Sequence, residues 1–589
     1  MSRRLVILLL ALFALPLRAA EPDKPKLVVL VVFDQMRGDY IAKWKPLFGP
    51  DGFVRMQSDG AWFVNCHYPY AITATGPGHA SMLTGCGPDV HGIVGNVWYD
   101  RKTGAVVNCS EDTRYDRVPP VPKDVPRDEV KEEWKVKETA AKPPAEPKKA
   151  APTATAKKAY GTPDRMMAPT FTEALKAAYP TAKAFGLSLK DRSAVLPVGP
   201  KADGTYWLDS TDGRIVTSSF FRDAVHPWVT EFNKSHVVDR WFAKTWDRFR
   251  PDLDYVKLNG PDLVIGEGKG TRQGLTFPHP TDGGLVRPGK AYYDALYNSP
   301  FGNDLLLELV KAAVTAEKLG RHAVPDLLTV SFSSTDSVGH TWGPDSQEVL
   351  DVTLRADRTL AGLLHFLDGA VGPGKYLVCL TADHGCCPLP EVSQKRGLDA
   401  GRIPLRKVLA DAEAHLHAVY DNGPLAGPKD RWIEAQTSMW MYLNHKLIAS
   451  RGFDPAAVAK TLADFLAKQT GVLRTFTRAE LETPADRYDS IGQRMRKAYY
   501  PERCGDVALV PKPYWLGSDW TLATGTGHGT PHPYDTHVPL LVFGPGVKPG
   551  MRREEVVPPT IAAIFAQALG TKPPAKAEYP APAGLFGRE

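Results

Sequence analysis

Four short stretches offer metal-ligating side chains where strands end: Asp34 in "VVFDQMRGDY", Asp336 and His340 in "STDSVGH", Asp383 and His384 in "TADHG", and His528 in "GTGHGTPHPYDTH", where His532 and His537 stand nearby without a ligand role. Three carboxylates and three imidazoles suit two Zn2+ ions, each held through oxygen and nitrogen with a position left open for substrate. Asp336 and His340 are four residues apart, so on a helix they face one point. Asp383 and His384 are adjacent, and Gly385 can turn both side chains inward. Each stretch alone is a weak signal, because an Asp after a strand commonly caps a helix or closes a turn. The weight lies in their convergence within one chain.

A fifth stretch, "AITATGPGHASMLTG", places Thr73 and Thr75 before a Gly-Pro-Gly break and a short helix closed by Gly85. A helix N-terminus attracts anions through its free N–H groups and its dipole. A hydroxyl held there against a metal is biased toward the alkoxide. Thr75 therefore reads as a nucleophile or as a simple helix cap, and both roles stand on the residues alone. Thr73 reads as a packing or hydrogen-bonding residue.

The elements that position these groups repeat one grammar. "KLVVLVVFD", "AKAFGLSLK", "DLLTVSFSSTD" and "KYLVCLTADH" are apolar runs ending in polar residues, and "HVPLLVFGPG" is a further strand. Helical stretches such as Phe171–Ala178 and Leu350–Leu367 lie between them. The alternation predicts an α/β fold with a mostly parallel central sheet, whose ligand site lies where strands end. Residues 111–161, rich in Pro, Lys, Ala and Glu, read as a mobile insertion. Residues 195–303 and 396–506 interrupt the grammar and read as caps over the sheet edge.

Residues 1–20, with Arg3 and Arg4 before the apolar run Leu5–Leu15, read as a secretory signal peptide cleaved near Ala19 or Ala20. The expected product is an exported catalytic chain over 21–589 with no membrane span. The net charge of +6 is mild and partly concentrated in the Lys-rich insertion, which argues against a nucleic-acid polymer as partner. Seven cysteines match no zinc-binding spacing, and the odd count leaves a thiol over if the others pair.

Taken in order, "VVFDQMRGDY", "TGPGHASMLTG", "HGIVGNVWYD", "SLKDRSAVLPVG", "STDSVGH", "TADHG" and "GTGHGTPHPYDTHVPLLVFG" resemble the alkaline phosphatase superfamily, in particular its PafA-type phosphate-irrepressible branch, near the nucleotide pyrophosphatase/phosphodiesterases. The resemblance implies an alkaline-phosphatase-like three-layer sandwich and a periplasmic monomer acting on small phosphate esters. It implies one zinc on Asp336, His340 and His528, and a second on Asp34, Asp383, His384 and Thr75. Thr75 would then attack phosphorus to give a phosphothreonine that is hydrolysed in turn. Asn96, Lys190 and Arg192 would contact nonbridging phosphate oxygens, and the two cations favour a monoester dianion over a diester. Lys190 and Arg192 read as alternating on a strand end, and so as facing one side. The related sulfatases convert Cys or Ser to formylglycine, which Thr75 cannot yield. Two other readings stand beside the monoesterase: a phosphodiesterase or nucleotide pyrophosphatase, and a metal-binding protein without turnover.

Overall fold

A computed structural model describes residues 24–125, 127–135, 158–421, 431–483, 489–518 and 524–587. The expected signal peptide lies outside the described residues. Ten strands form the central sheet: β1 Leu27–Phe33, β2 Ala61–Phe63, β3 Arg117–Val118, β4 Ala184–Ser188, β5 Gly204–Asp209, β6 Arg214–Ser218, β7 Asp326–Phe332, β8 Tyr376–Thr381, β9 Leu540–Phe543 and β10 Gly550–Arg552. Their spatial order is β10-β2-β9-β8-β1-β7-β4-β5-β6-β3. At its centre, β8, β1, β7, β4 and β5 run parallel. β1, β7 and β8 are buried at every position, as strands covered on both faces must be.

The register explains why the polar residues meet. Phe33 lies opposite Phe332, Val32 opposite Thr381, and Ser188 opposite Ser331. The four strands therefore end almost level, and whatever follows each of them emerges at one edge of the sheet. The strand in "HVPLLVFGPG" is β9, which runs antiparallel to both β8 and β2.

Helices cover the two faces. On one, α1 Thr75–Thr84, α2 Phe171–Ala178 and α7 Ile561–Leu569 pack together. On the other are α4 Pro300–Glu317, α5 Ser334–Trp342 and α6 Gln347–Ala370, while the short α3 Asp191–Val195 that follows β4 packs against α1. α2 starts at a capping box in which Thr170 and Glu173 satisfy each other's backbone N–H groups. In α6, Val349, Val352, Ala356, Leu360, Leu363 and Leu367 recur at helical spacing and are buried. Among the described residues no helix is long and apolar enough to cross a membrane.

The interrupting segments differ from expectation. β5 and β6, from 195–303, extend the central sheet, and β3, from 111–161, forms its edge by pairing with β6. Within 111–161, Glu111–Asp112 also pairs with Tyr160–Gly161, and Lys131 meets Asp282 at 2.7 Å. Both ends of that stretch are thus anchored by pairings distant in sequence, and 136–157 lies outside the described residues. The 396–506 segment, together with Val507–Pro511 just after it, builds a separate antiparallel sheet in the order Ile433–Thr437, Trp440–Leu443, Val507–Pro511, Val472–Thr477. It has its own core, including Val408, Leu416, Trp432, Leu462 and Leu509. All seven cysteines are free and buried.

Candidate active site

Asp34 follows β1, and Asp383 and His384 follow β8 by one residue. Asp336 and His340 lie on α5, which begins two residues after β7, and His528 is on the loop before β9. The three imidazoles share one device. His340 Nδ1–H donates to the Thr526 carbonyl at 2.7 Å, His384 Nδ1–H to that of Gly385 at 2.9 Å, and His528 Nδ1–H to that of Thr73 at 2.8 Å. A carbonyl can only accept, so each ring is fixed as the tautomer whose Nε2 carries the lone pair. All three Nε2 atoms face carboxylates: His340 to Asp336 Oδ1 at 3.2 Å, His384 to Asp383 Oδ2 at 3.4 Å and Asp34 Oδ1 at 3.7 Å, and His528 to Asp336 Oδ1 at 3.9 Å.

Two sets of ligand atoms fall within 4.8 Å of one another, Asp34–Asp383–His384 and Asp336–His384–His528. The first is an expected set. In the second, His384 stands where His340 was expected, because its ring stacks on that of His528 with centroids 3.5 Å apart. His340 stays at the rim with its side chain 38% exposed, joined to the group through Asp336. Asp34 Oδ1 and Asp383 Oδ2 are buried with no hydrogen-bond partner. Buried carboxylate oxygens in that condition call for a cation, and the oxygen and nitrogen donors fit a divalent metal.

Charge crowding sets the titration of the cluster. Burial, then repulsion from Asp336 and Asp383, raises the Asp34 carboxyl well above its ordinary range. Burial pushes Asp336 the same way, but Lys190 and His340 overcome it and hold it well below. Burial, then His384 and His340, keeps His528 neutral far below the usual imidazole range.

Thr75 is the first residue of α1, and its N-cap is Ala74, which has no side-chain cap bond. Thr75 is therefore not a cap, in contrast to expectation, because the first turn closes one residue early through the Gly78 N–H to Ala74 carbonyl bond at 2.9 Å. Its Oγ1 instead lies 3.4 Å from His384 Nε2, inside the ligand cluster. Gly78 permits this approach, since a Cβ there would come within 2.3 Å of the Asp383 carbonyl oxygen. Thr73 donates to the Thr530 carbonyl at 3.0 Å and so helps to hold the His528 loop.

Asn96 Oδ1 accepts from the Gly76 N–H at 2.7 Å, leaving the NH2 end of that amide to donate elsewhere. Lys190 is the N-cap residue of α3, and its ammonium reaches Asp34 Oδ2 at 2.7 Å and Asp336 Oδ2 at 2.6 Å. Arg192 lies in the first turn of α3 and not on a strand, because β4 ends at Ser188. Its Nε is buried without a hydrogen-bond partner.

Three residues near the cluster were not anticipated from sequence. His79, buried on α1, contacts Asp383 Oδ2 at 3.3 Å and the Thr75 carbonyl at 2.9 Å. Tyr297 is a phenol within electrostatic reach of Lys190, Asp336, Asp34 and Arg192. Gln35, beside Asp34, donates to both Asp383 and Asp336.

Residues 28–535 match the family described as type I phosphodiesterase / nucleotide pyrophosphatase. The chain belongs to this family. It is 32% identical to alkaline phosphatase PafA of Elizabethkingia meningoseptica over 92% of each chain. It is 30% identical to alkaline phosphatase PhoV of Synechococcus elongatus over 92% of this chain and 90% of the relative. The crystal structure of wild-type PafA covers 96% of this chain and 99% of its own, with 30% identity and a TM-score of 0.83. This family member thus has the alkaline-phosphatase-like α/β architecture that its motifs imply. A second PafA structure carries a Thr-to-Ser change and changes of Asn, Lys and Arg to Ala.

Proposed function

We propose that this chain is an exported two-zinc phosphatase that hydrolyses small phosphate monoesters through a phosphothreonine at Thr75. The observation that carries the reading is the meeting, at one sheet edge, of three fixed Nε2 lone pairs, three carboxylates and the Thr75 hydroxyl, with Lys190 and Arg192 beside them. The residue types changed in the second PafA structure are those of Thr75, Asn96, Lys190 and Arg192, which is in keeping with these roles. Export rests on residues 1–20.

In this reading Thr75 Oγ1 attacks phosphorus while the bond to the leaving oxygen breaks, and the leaving alcohol takes that electron pair and a proton. Water then cleaves the phosphothreonine, restoring the Thr75 hydroxyl and releasing inorganic phosphate. The Asn96 amide, Lys190 and Arg192 hold the nonbridging oxygens, so a dianionic monoester gains more than a diester. Asp34, Asp383, His384 and Thr75 would hold one zinc ion and Asp336, His340 and His528 the other, and the bound ions would supply positive charge opposite the attacking and leaving oxygens.

The test is zinc content with a panel of monoesters, diesters and sulfate esters. About two zinc ions per chain and a strong monoester preference are expected. The family match leaves a phosphodiesterase as the second reading, and diesters turned over faster than monoesters would replace the first with it.

A further inference from the structure

The Asp34–Gln35 step ties three strand ends together. The Asp34 N–H donates to the Phe332 carbonyl at 3.1 Å, and the Thr335 hydroxyl donates to the Asp34 carbonyl at 2.5 Å. The chain then turns through Gln35 with φ 69°, a left-handed conformation uncommon for a residue with a side chain. That turn aims two donors of one residue at two different carboxylates. The Gln35 N–H reaches Asp383 Oδ1 at 3.0 Å, and its Nε2 reaches Asp336 Oδ1 at 2.7 Å. Asp383 and Asp336 belong to different ligand groups.

The seat for this side chain is built elsewhere. Gln35 is 4% exposed, and a Cβ added to Gly339 on α5 would come within 2.0 Å of Gln35 Oε1. The glycine between Asp336 and His340 therefore leaves the room that the Gln35 amide occupies. A strained backbone, a buried amide and a matching glycine all serve one arrangement.

We infer that Gln35 is a positioning residue that sets the spacing of the two metal groups, its main chain holding the Asp383 group and its side chain holding the Asp336 group. The inference rests on the two-zinc reading. A neutral amide suits the task because it orients a carboxylate without neutralising it, so the charge that binds metal is kept. Because the two bonds come from different parts of one residue, they can be separated by substitution. Gln35→Gly accepts the left-handed turn, keeps the N–H to Asp383 and deletes only the bond to Asp336. Gln35→Glu keeps the shape and removes the donor. Gly339→Ala displaces the amide from its seat without touching a ligand.

Zinc retained per chain is measured in the zinc-loaded full chain against rising dipicolinate, with the melting temperature of the chelated protein alongside. In each variant one zinc is expected to leave at roughly ten- to a hundredfold lower chelator than in wild type. In Gln35→Gly the second zinc stays at the wild-type concentration, and the chelated variant melts as chelated wild type does. Release of both ions at wild-type concentrations overturns the inference. So does joint loss of both ions with a lowered melting temperature, which marks Gln35 as structural only. A wild-type chain that holds no zinc overturns the two-zinc reading itself, and the spacing role with it.

Discussion

The Lys190 ammonium lies 2.6 Å from Asp336 Oδ2 and also 2.7 Å from Asp34 Oδ2, so one cation bridges a carboxylate from each ligand group. Its side chain is 9% exposed and the two carboxylates are buried, which makes this a buried charge network and not a surface pair. Removing one partner of such a network leaves charge uncompensated. Chelated Lys190→Ala is therefore expected to be less stable than chelated wild type by about 3–5 kcal/mol. Added zinc should narrow the gap, as read by denaturant unfolding with and without metal.

Lys190 and Arg192 also carry the proposed preference for a dianion. In the Lys190→Ala/Arg192→Ala chain, monoester kcat/KM is expected to fall by roughly a hundredfold or more, since charge-assisted hydrogen bonds are worth about 1.5–3 kcal/mol each. Diester kcat/KM should fall by much less. Equal losses on both substrates would remove these residues from the specificity argument.

Thr75→Ala deletes a hydroxyl that caps nothing, because the N-cap is Ala74. Turnover is expected to drop by roughly a thousandfold or more. The melting temperature should move by only a few degrees. Retained turnover would show that the attacking group lies elsewhere.

Glu267 provides a pH test away from the ligands. Burial, aided by Glu348 and Asp262 and opposed by the Val264 N–H, pushes its carboxyl from the ordinary 4.5 up to about 8. Between those values the folded protein keeps a proton that the unfolded chain has lost, so stability falls as pH rises through that window. Glu267→Gln removes the dependence. The variant should melt several degrees above wild type at pH ~9 and alongside it near pH ~4.

Seven free, buried thiols give a chemical test. The native chain should react slowly with a thiol reagent, since burial pushes Cys379 and Cys386 well above the ordinary thiol range. In denaturant, seven thiols per chain should titrate.

What the sequence carried can be traced residue by residue. Asp34, Asp383 and Lys190 were legible because each follows a continuous apolar run, and level parallel strands place such residues at one edge. The helix Phe171–Ala178 was legible with its boundaries, since Thr170 and Glu173 form a local start signal. β3 was not, because a two-residue strand paired far along the chain has no periodicity of its own, and β5 and β6, a local hairpin with Arg214 opposite Asp209, were read as part of a cap. Arg192 was misplaced for a local reason: one residue beyond Lys190 the backbone passes from extended to helical. Gln35 left no signal of its own type. Its meaning depends on a left-handed φ, on Asp336, 301 positions along the chain, and on a glycine beside that residue.

The bond from His528 Nδ1 to the Thr73 carbonyl spans 455 residues. Beside it, the Tyr68 N–H meets the Thr536 carbonyl at 2.9 Å and the Val538 N–H meets the Cys66 carbonyl at 3.0 Å. During synthesis at about 5–20 residues per second, the stretch bearing Thr75 waits on the order of tens of seconds for the loop that completes its surroundings. A growing chain thus carries the Thr75 hydroxyl long before it carries His528, and the proposed site is incomplete for that whole interval.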